Sequence, residues 1–385
     1  MRIAIDARSA VAAKKTGVGY YTWNLIHALP REDPESTYVA WYPSLRGSVG
    51  VRRDFPELAG PNFQERPMPV PWVLFERISS RIEAPRVDWF LRFDVFLAPN
   101  FIPPPVGRKR VVVTIHDLAF RILPETASEA TERWLVRLDA SLRRATRFVA
   151  VSECTKQDLV NLYDISPDRV DVVPLGVDPA SFRSSSAEEV TAVKRRFGID
   201  GPYLLFLGGI ERRKNIPAIV RAFSQMDPDT RPKLVVAGGA VAWDPLASRS
   251  LRMGFEFLPR RARENIVFTG YVTDEEKVAL LGGAEALVYP SLYEGFGLPV
   301  LEAMACGTPV VTSNVSSLPE VVGDAALLVD PRDDDELADA MVRVLQDEAL
   351  RDRLRVAGPA RAATFTWDRT AQLTARTLRR AAGDS

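Results

Sequence analysis

The stretch Tyr289–Pro309, YPSLYEGFGLPVLEAMACGTP, decides the architecture. The apolar run Ala286–Tyr289 has strand composition and stops at Pro290. A loop holding Gly295 and Gly297 follows, and Pro299 opens a helix that ends near Cys306 and Gly307. Proline costs nothing at a first helical position, whose N–H has no partner anyway. Glycine is the usual left-handed stop. Another apolar run, Pro309–Thr312, begins at once. Strand, helix and strand in succession make a parallel crossover unit. The spacing predicts free amides at Gly297, Leu298 and Val300, between glycines that admit a ligand to the backbone. That is an anion site at a helix start, with phosphate its commonest guest.

The same unit recurs along the chain. In the first half, short apolar runs fall at Arg2–Asp6, Tyr38–Trp41, Val95–Ala98, Val111–Ile115, Phe148–Val151 and Val170–Val173. In the second half they are Tyr203–Leu207, Leu234–Ala237, Ile266–Thr269, Ala286–Tyr289, Pro309–Thr312 and Leu327–Val329. Runs without alternation suit strands covered on both faces. Helix-length segments such as Val18–Leu29, Glu132–Arg144 and Asp335–Gln346 lie between them. The polar stretch Asp178–Glu189 reads as a linker, followed by an amphipathic segment, Val190–Phe197. The expectation is an α/β chain of two doubly wound, Rossmann-like parallel-sheet domains facing across a cleft. The predicted bounds are 1–180 and 181–364, with a helical tail, 365–385, crossing back to the first domain.

Composition narrows the function. Of 385 residues, 50 are Lys or Arg and 50 are Asp or Glu, a balance that argues against a dedicated nucleic-acid binder. Hydrophobic residues make up 46%, enough for a full core. No apolar run reaches membrane-spanning length, and Asp6 stands where a secretion signal needs its apolar stretch. The two cysteines, Cys154 and Cys306, lack metal-ligand spacing. A cytoplasmic enzyme or binding protein without metal, disulfide or cofactor is expected.

Two acids bracket the anion site, Glu294 in the loop and Glu302 one turn into the helix. Beside phosphate they need another task, and accepting hydroxyls at opposite ends of a long sugar–diphosphate–ribose ligand fits better than a hydrolase pair acting across one bond. Gly208–Asn215, GGIERRKN, places cations at the C-terminal end of a strand, where open α/β sheets bind ligands. Gly17-Val18-Gly19 opens a helix after the first strand, but Thr22 stands where a dinucleotide fingerprint needs its third glycine. Of the two histidines, His27 lies inside the first helix, whereas His116-Asp117 ends the strand Val111–Ile115; Asn100 ends its neighbour.

Glu294 and Glu302 in EGFGLPVLE resemble the E-x7-E motif of family 4 (group 1) retaining glycosyltransferases, which have the GT-B fold. The pattern from Thr308 to Pro331 is similar too. The resemblance implies that Glu294 contacts the transferred sugar and Glu302 the ribose. It implies that the amides of Phe296, Gly297 and Leu298 meet the sugar and diphosphate, and that Lys214 pairs with the diphosphate. Many members carry an arginine where this chain has Gly209; Arg213 is then the candidate second cation, with Arg212 in reserve. Val272 is implied to contact the nucleobase through its backbone, Gly17 to approach the diphosphate, and His116 to lie near the transferred sugar. Asn100 and Asp117 would line the acceptor side. Ser152 and Lys156, in VSECTK, also resemble a family feature.

The expected activity is metal-independent, retaining transfer of a hexose to a hydroxyl of a glycan, lipid-linked or small-molecule acceptor. GDP-mannose and UDP-glucose are the leading donors. A nucleotide-sugar sensor without catalysis, or a sugar-nucleotide epimerase of similar architecture, are the alternatives. Arg108–Arg110, Arg143-Arg144 and the aromatic stretch Pro67–Asp94 would suit peripheral contact with an anionic membrane at its cytoplasmic face.

Overall fold

The computed structural model describes residues 1–12, 16–44, 55–58, 60–79, 82, 84–107, 109–126, 129–239, 255 and 258–383. Arg108, and parts of the Pro67–Asp94 stretch and of the loop before Gly17, lie outside the described residues. The chain forms two units. The first comprises Met1–Leu118, Arg133–Gly176 and Thr366–Ser385, and the second Ala119–Glu132 and Val177–Phe365. The segment Ala119–Glu132, expected in the first domain, therefore groups with the second.

The first unit holds seven strands: β1 (Arg2–Asp6), β2 (Thr37–Pro43), β3 (Phe63–Met68), β4 (Val95–Ala98), β5 (Arg110–Ile115), β6 (Arg147–Ala150) and β7 (Val170–Val172). Their order is β3-β2-β1-β4-β5-β6-β7, and every recorded pair is parallel. The second unit holds β8 (Tyr203–Leu207), β9 (Lys233–Ala237), β10 (Ile266–Gly270), β11 (Ala286–Tyr289), β12 (Val310–Ser313) and β13 (Leu327–Val329). Their order is β10-β9-β8-β11-β12-β13, again parallel. Each sheet reverses direction once, between β1 and β4 and between β8 and β11. Such switch points leave a crevice beyond the strands' C-terminal ends.

Twelve of these strands fall on the apolar runs. β3, FQERPM, does not, because its inner residues are polar and half-exposed. As an edge strand it needs only one paired side, and Pro67 is tolerated there opposite Tyr42. The linker ends earlier than its polarity suggests. Ser186 and Glu189 form a reciprocal capping box that starts the helix Ala187–Phe197.

The sheets carry the cores. Ile3, Tyr38, Phe96 and Phe148 are fully buried in the first unit, and Phe206 stacks on Tyr289 at 5.7 Å in the second. Gly238 ends β9 at φ +138°, and a Cβ there would sit 1.8 Å from the Gly208 carbonyl oxygen. This glycine is demanded by the chain's own backbone.

The last helix, Trp367–Ala382, belongs to the first unit. Thr366 caps it, and Ala371, Ala375 and Leu378 face inward with at most 2% exposure. Arg379 reaches the buried Asp33 at 2.5 Å, Arg380 meets Asp171 at 2.5 Å, and the Thr370 hydroxyl donates to the Pro174 carbonyl at 2.8 Å. Gly176 leaves room for it, since a Cβ there would lie 2.4 Å from the Trp367 nitrogen. Truncation after Thr364 is expected to lower the melting temperature by about 10 °C or more, from several kcal/mol of lost burial. Unchanged melting would contradict this packing. Among the described residues, no helix is long and apolar enough to cross a membrane.

Candidate active site

β8 is wholly apolar and ends at Gly208; one turn of 3-10 helix, Arg212–Lys214, follows. Asn215, left-handed at φ +56°, closes that turn, and its side-chain amide donates to the carbonyls of Pro331 (2.6 Å) and Pro290 (3.2 Å). The turn is thereby pinned beside the end of β11, at the switch point of the second sheet. Lys214 is 6% exposed, an unusual burial for an ammonium group.

Its partner explains the burial. Lys214 Nζ lies 2.7 Å from Glu294 Oε1, and Arg213 Nη1 lies 2.7 Å from Glu294 Oε2. The Tyr289 and Ser291 hydroxyls also donate to Oε1, at 2.9 and 3.1 Å, and Lys214 contacts the Tyr289 hydroxyl. Arg213 spans to Glu211 at 2.7 Å as well. Burial alone would raise the Glu294 carboxyl, but Arg213 and Lys214 outweigh it and hold the pKa at about 2. A carboxylate depressed in this way stabilises the fold above its ordinary pKa, and that contribution disappears as pH falls toward about 2. Denaturation of wild type and Glu294→Gln from about pH 5 to about pH 2 should show a loss in wild type that the variant lacks.

Glu294 and Lys214, expected to address different parts of a ligand, here also pair with each other. Oε1 accepts three hydrogen bonds, and Oε2 accepts from Arg213. Arg213 joins this cluster, whereas Arg212 donates to the Glu125 carbonyl. Sequence reading missed Tyr289 and Ser291; a hydroxyl three residues before a buried acid was the available signal.

The loop itself is held from outside. Glu294 N–H donates to Ser316 Oγ at 3.1 Å, and Ser317 Oγ donates to the Glu294 carbonyl at 2.9 Å. Phe296 is buried against Phe365, ring centroids 5.7 Å apart. Gly297 caps the helix Leu298–Ala305 at φ +99°, a left-handed position with Leu318 packed against its Cα. The Val300 N–H donates to the Gly297 carbonyl at 3.0 Å, so it is not one of the free amides expected there. Among the described residues, no acceptor is recorded for the Gly297 and Leu298 amides at this helix start.

Glu302 lies apart from that cluster, 3.0 Å from Lys277 Nζ; the ammonium also sits 4.6 Å from the Phe182 ring centroid. Burial raises the Glu302 carboxyl and Lys277 offsets this only in part. Lys277, on the helix Asp274–Gly283, was not singled out from sequence. Val272, half-buried, precedes the Thr273 cap of the same helix. Gly238 is required by the Gly208 carbonyl packed against it.

In the first unit, His116 follows β5 and Asn100 follows β4 beside it. His116 Nε2 lies 2.8 Å from the Pro99 carbonyl, which can only accept, so Nε2 carries the proton and Nδ1 the lone pair. Burial lowers its pKa and keeps the ring neutral at pH 7. Asn100 is exposed, Asp117 half-buried. Gly17, exposed, begins the helix Gly17–Glu32, and a Cβ there would meet nothing. His27 bonds the Trp23 carbonyl and Glu57, a packing role. Ser152 caps the helix Glu153–Tyr163, which gives it a structural task.

Known proteins share this frame. A model of glycosyl transferases group 1 matches residues 190–361, and one of glycosyltransferase family 4 matches residues 15–181. The O-antigen chain mannosyltransferase B of Escherichia coli is 34% identical over 277 residues, 71% of each chain. The serotype-specific mannosyltransferase WbdA of Escherichia coli is 33% identical over 61% of this chain, which spans only 29% of that relative. Among solved structures, sucrose-phosphate synthase from Thermosynechococcus elongatus superposes with a TM-score of 0.74 at 21% identity, each chain fully covered. Anabaena HepE in complex with UDP-glucose gives 0.72 at 18% identity, over 99% of this chain and 100% of that one. With both halves matched in this way, the chain belongs to the group 1, family 4 glycosyltransferases and has their GT-B fold.

Proposed function

We propose that this glycosyltransferase moves a hexose, mannose foremost, from a nucleoside-diphosphate sugar to a hydroxyl of a growing glycan, with retention of anomeric configuration and without metal. The observation carrying this reading is the Lys214–Glu294–Arg213 cluster at the switch point of the second sheet, beside the amides that begin at Gly297. The names of the mannosyltransferase relatives support mannose and a polysaccharide product. The HepE complex favours UDP-glucose as the second donor candidate.

In this reading Lys214 and Arg213 turn part of their charge from Glu294 to the diphosphate, helped by the amides of Phe296, Gly297 and Leu298. Glu302 takes the ribose, Val272 the base and Glu294 the sugar. Gly17 approaches the diphosphate, His116 faces the sugar, and Asn100 and Asp117 meet the acceptor. The bond from the anomeric carbon to the diphosphate breaks on the face where the acceptor oxygen bonds, and the hydroxyl proton passes to the departing diphosphate. No carboxylate is assigned as a nucleophile. The protein's task is to stabilise charge growing on the leaving group. A cytoplasmic setting, with contact to the inner face of the membrane, fits a lipid-linked acceptor.

Nucleotide choice is tested by thermal shift with GDP and UDP, since a ligand at about 100 times its Kd adds about 2.7 kcal/mol to stability. GDP is expected to give the larger shift. Release of nucleoside diphosphate from GDP-mannose, with NMR of the product's anomeric proton, tests transfer and stereochemistry. An inverted product would refute retention.

A further inference from the structure

We propose that Tyr21 is a positioning residue for His116, and that the C-terminal helix, through Trp367, holds Tyr21 in place. This rests on the reading of His116 given above. Tyr21 lies on the helix Gly17–Glu32 and is fully buried. Its ring meets the His116 ring edge-on, centroids 4.9 Å apart at 83°. Its hydroxyl bonds Thr114 Oγ1 at 3.2 Å, on β5 two residues before His116. Thr374, on the last helix, is itself fully buried. Burial pushes the Tyr21 phenol up to about 12, so it keeps its proton. Trp367, from that same helix, packs on Tyr21 at 6.2 Å.

An imidazole has a broad, roughly two-fold preference about its outer torsion, so a single hydrogen bond does not fix it. His116 has three constraints: the Pro99 carbonyl on Nε2, Tyr21 on one side, and Phe101 at 5.8 Å and 69°. A ring flip would bring Cε1 to the carbonyl and forfeit the hydrogen bond, and a rotation of the ring plane would forfeit the edge-on contact. Tyr21 thereby fixes the ring plane in which the Pro99 carbonyl holds Nε2 and leaves Nδ1 available. Thr114 ties the hydroxyl end of Tyr21 to β5, and Trp367 of the last helix packs on its ring. A hydroxyl-bearing side chain fully buried against a helix from the far end of the sequence has a use beyond filling space.

The experiment reads the ring directly. The chain has two histidines, so long-range proton–nitrogen NMR resolves His116 with His27 as internal control. Wild type is expected to show one His116 tautomer, protonated at Nε2, and Tyr21→Leu a mixture. Tyr21→Leu should also lose about 10²-fold in kcat, with KM for the donor within about twofold of wild type. Tyr21→Phe, which restores the ring, should recover to within about tenfold of wild type. Thr114→Val, which removes the hydroxyl partner, should match Tyr21→Phe; these two variants decide the matter if Tyr21→Leu does not fold. His116 signals identical to wild type in every folded variant would overturn the proposal. A displaced ring with wild-type turnover would uphold the positioning and remove His116 from catalysis, so the two readings fail separately.

Discussion

Glu294→Ala is expected to lose at least about 10²–10³ in turnover and to destabilise the fold by about 3–5 kcal/mol. The two losses have one origin. Glu294 is the common partner of Lys214 and Arg213, each at 2.7 Å, and Lys214 is almost as buried as the acid. Alanine leaves the Lys214 ammonium without its carboxylate in a poorly hydrated pocket, beside an Arg213 that still pairs with Glu211, and a buried charge that has lost its partner costs more than the intact pair returned. Lys214→Ala should cost about as much in turnover and less in stability, because Glu294 keeps Arg213, Tyr289 and Ser291. The double variant should be more stable than the sum of the two losses predicts, since residues in one network do not add. Steady-state transfer rates and denaturant titrations of the three variants check this. Strict additivity, or near-normal transfer by either single variant, would remove the cluster from the mechanism.

Gly238→Ala is expected to cost more than about 3 kcal/mol, whether or not Gly238 ever meets a nucleobase. The added methyl would have to occupy space 1.8 Å from the Gly208 carbonyl oxygen, an atom that cannot rotate away. The backbone at φ +138° is also a conformation that non-glycine residues avoid. Relief requires separating the ends of β8 and β9, which would strip the Gly208–Ala237 and Gly238–Gly270 hydrogen bonds, both 2.9 Å. Because Lys214 hangs from the end of β8, donor affinity should fall along with melting temperature. Wild-type melting of Gly238→Ala would show that the two turns are not packed as described.

Legibility followed local chemistry. Runs such as YLLFL and ALVY are buried on both faces, so their composition alone announces strands, and their spacing announces the crossovers between them. β3 escaped because an edge strand need not look apolar, and the start of Ala187–Phe197 escaped because its capping box lay inside a serine-rich stretch. At the site, Glu294, Glu302 and Lys214 were legible from a motif and from their places at strand ends. Their mutual pairing was not, because 80 residues separate Lys214 from Glu294 and only the sheet order brings them together. The same holds for Lys277 against Glu302 and for Tyr21 against His116, where one partner carries no motif. Val300 was misread for a smaller reason: the helix begins one residue earlier than Pro299, so Val300 already donates to the cap.

The helix Trp367–Ala382 has a consequence for biogenesis. The lobe built from Met1–Leu118 and Arg133–Gly176 lacks one of its own walls until the chain has been made through Ala382, and Val177–Phe365 is synthesised in between; meanwhile the apolar face under the helix is uncovered, open to chaperones and to neighbouring chains.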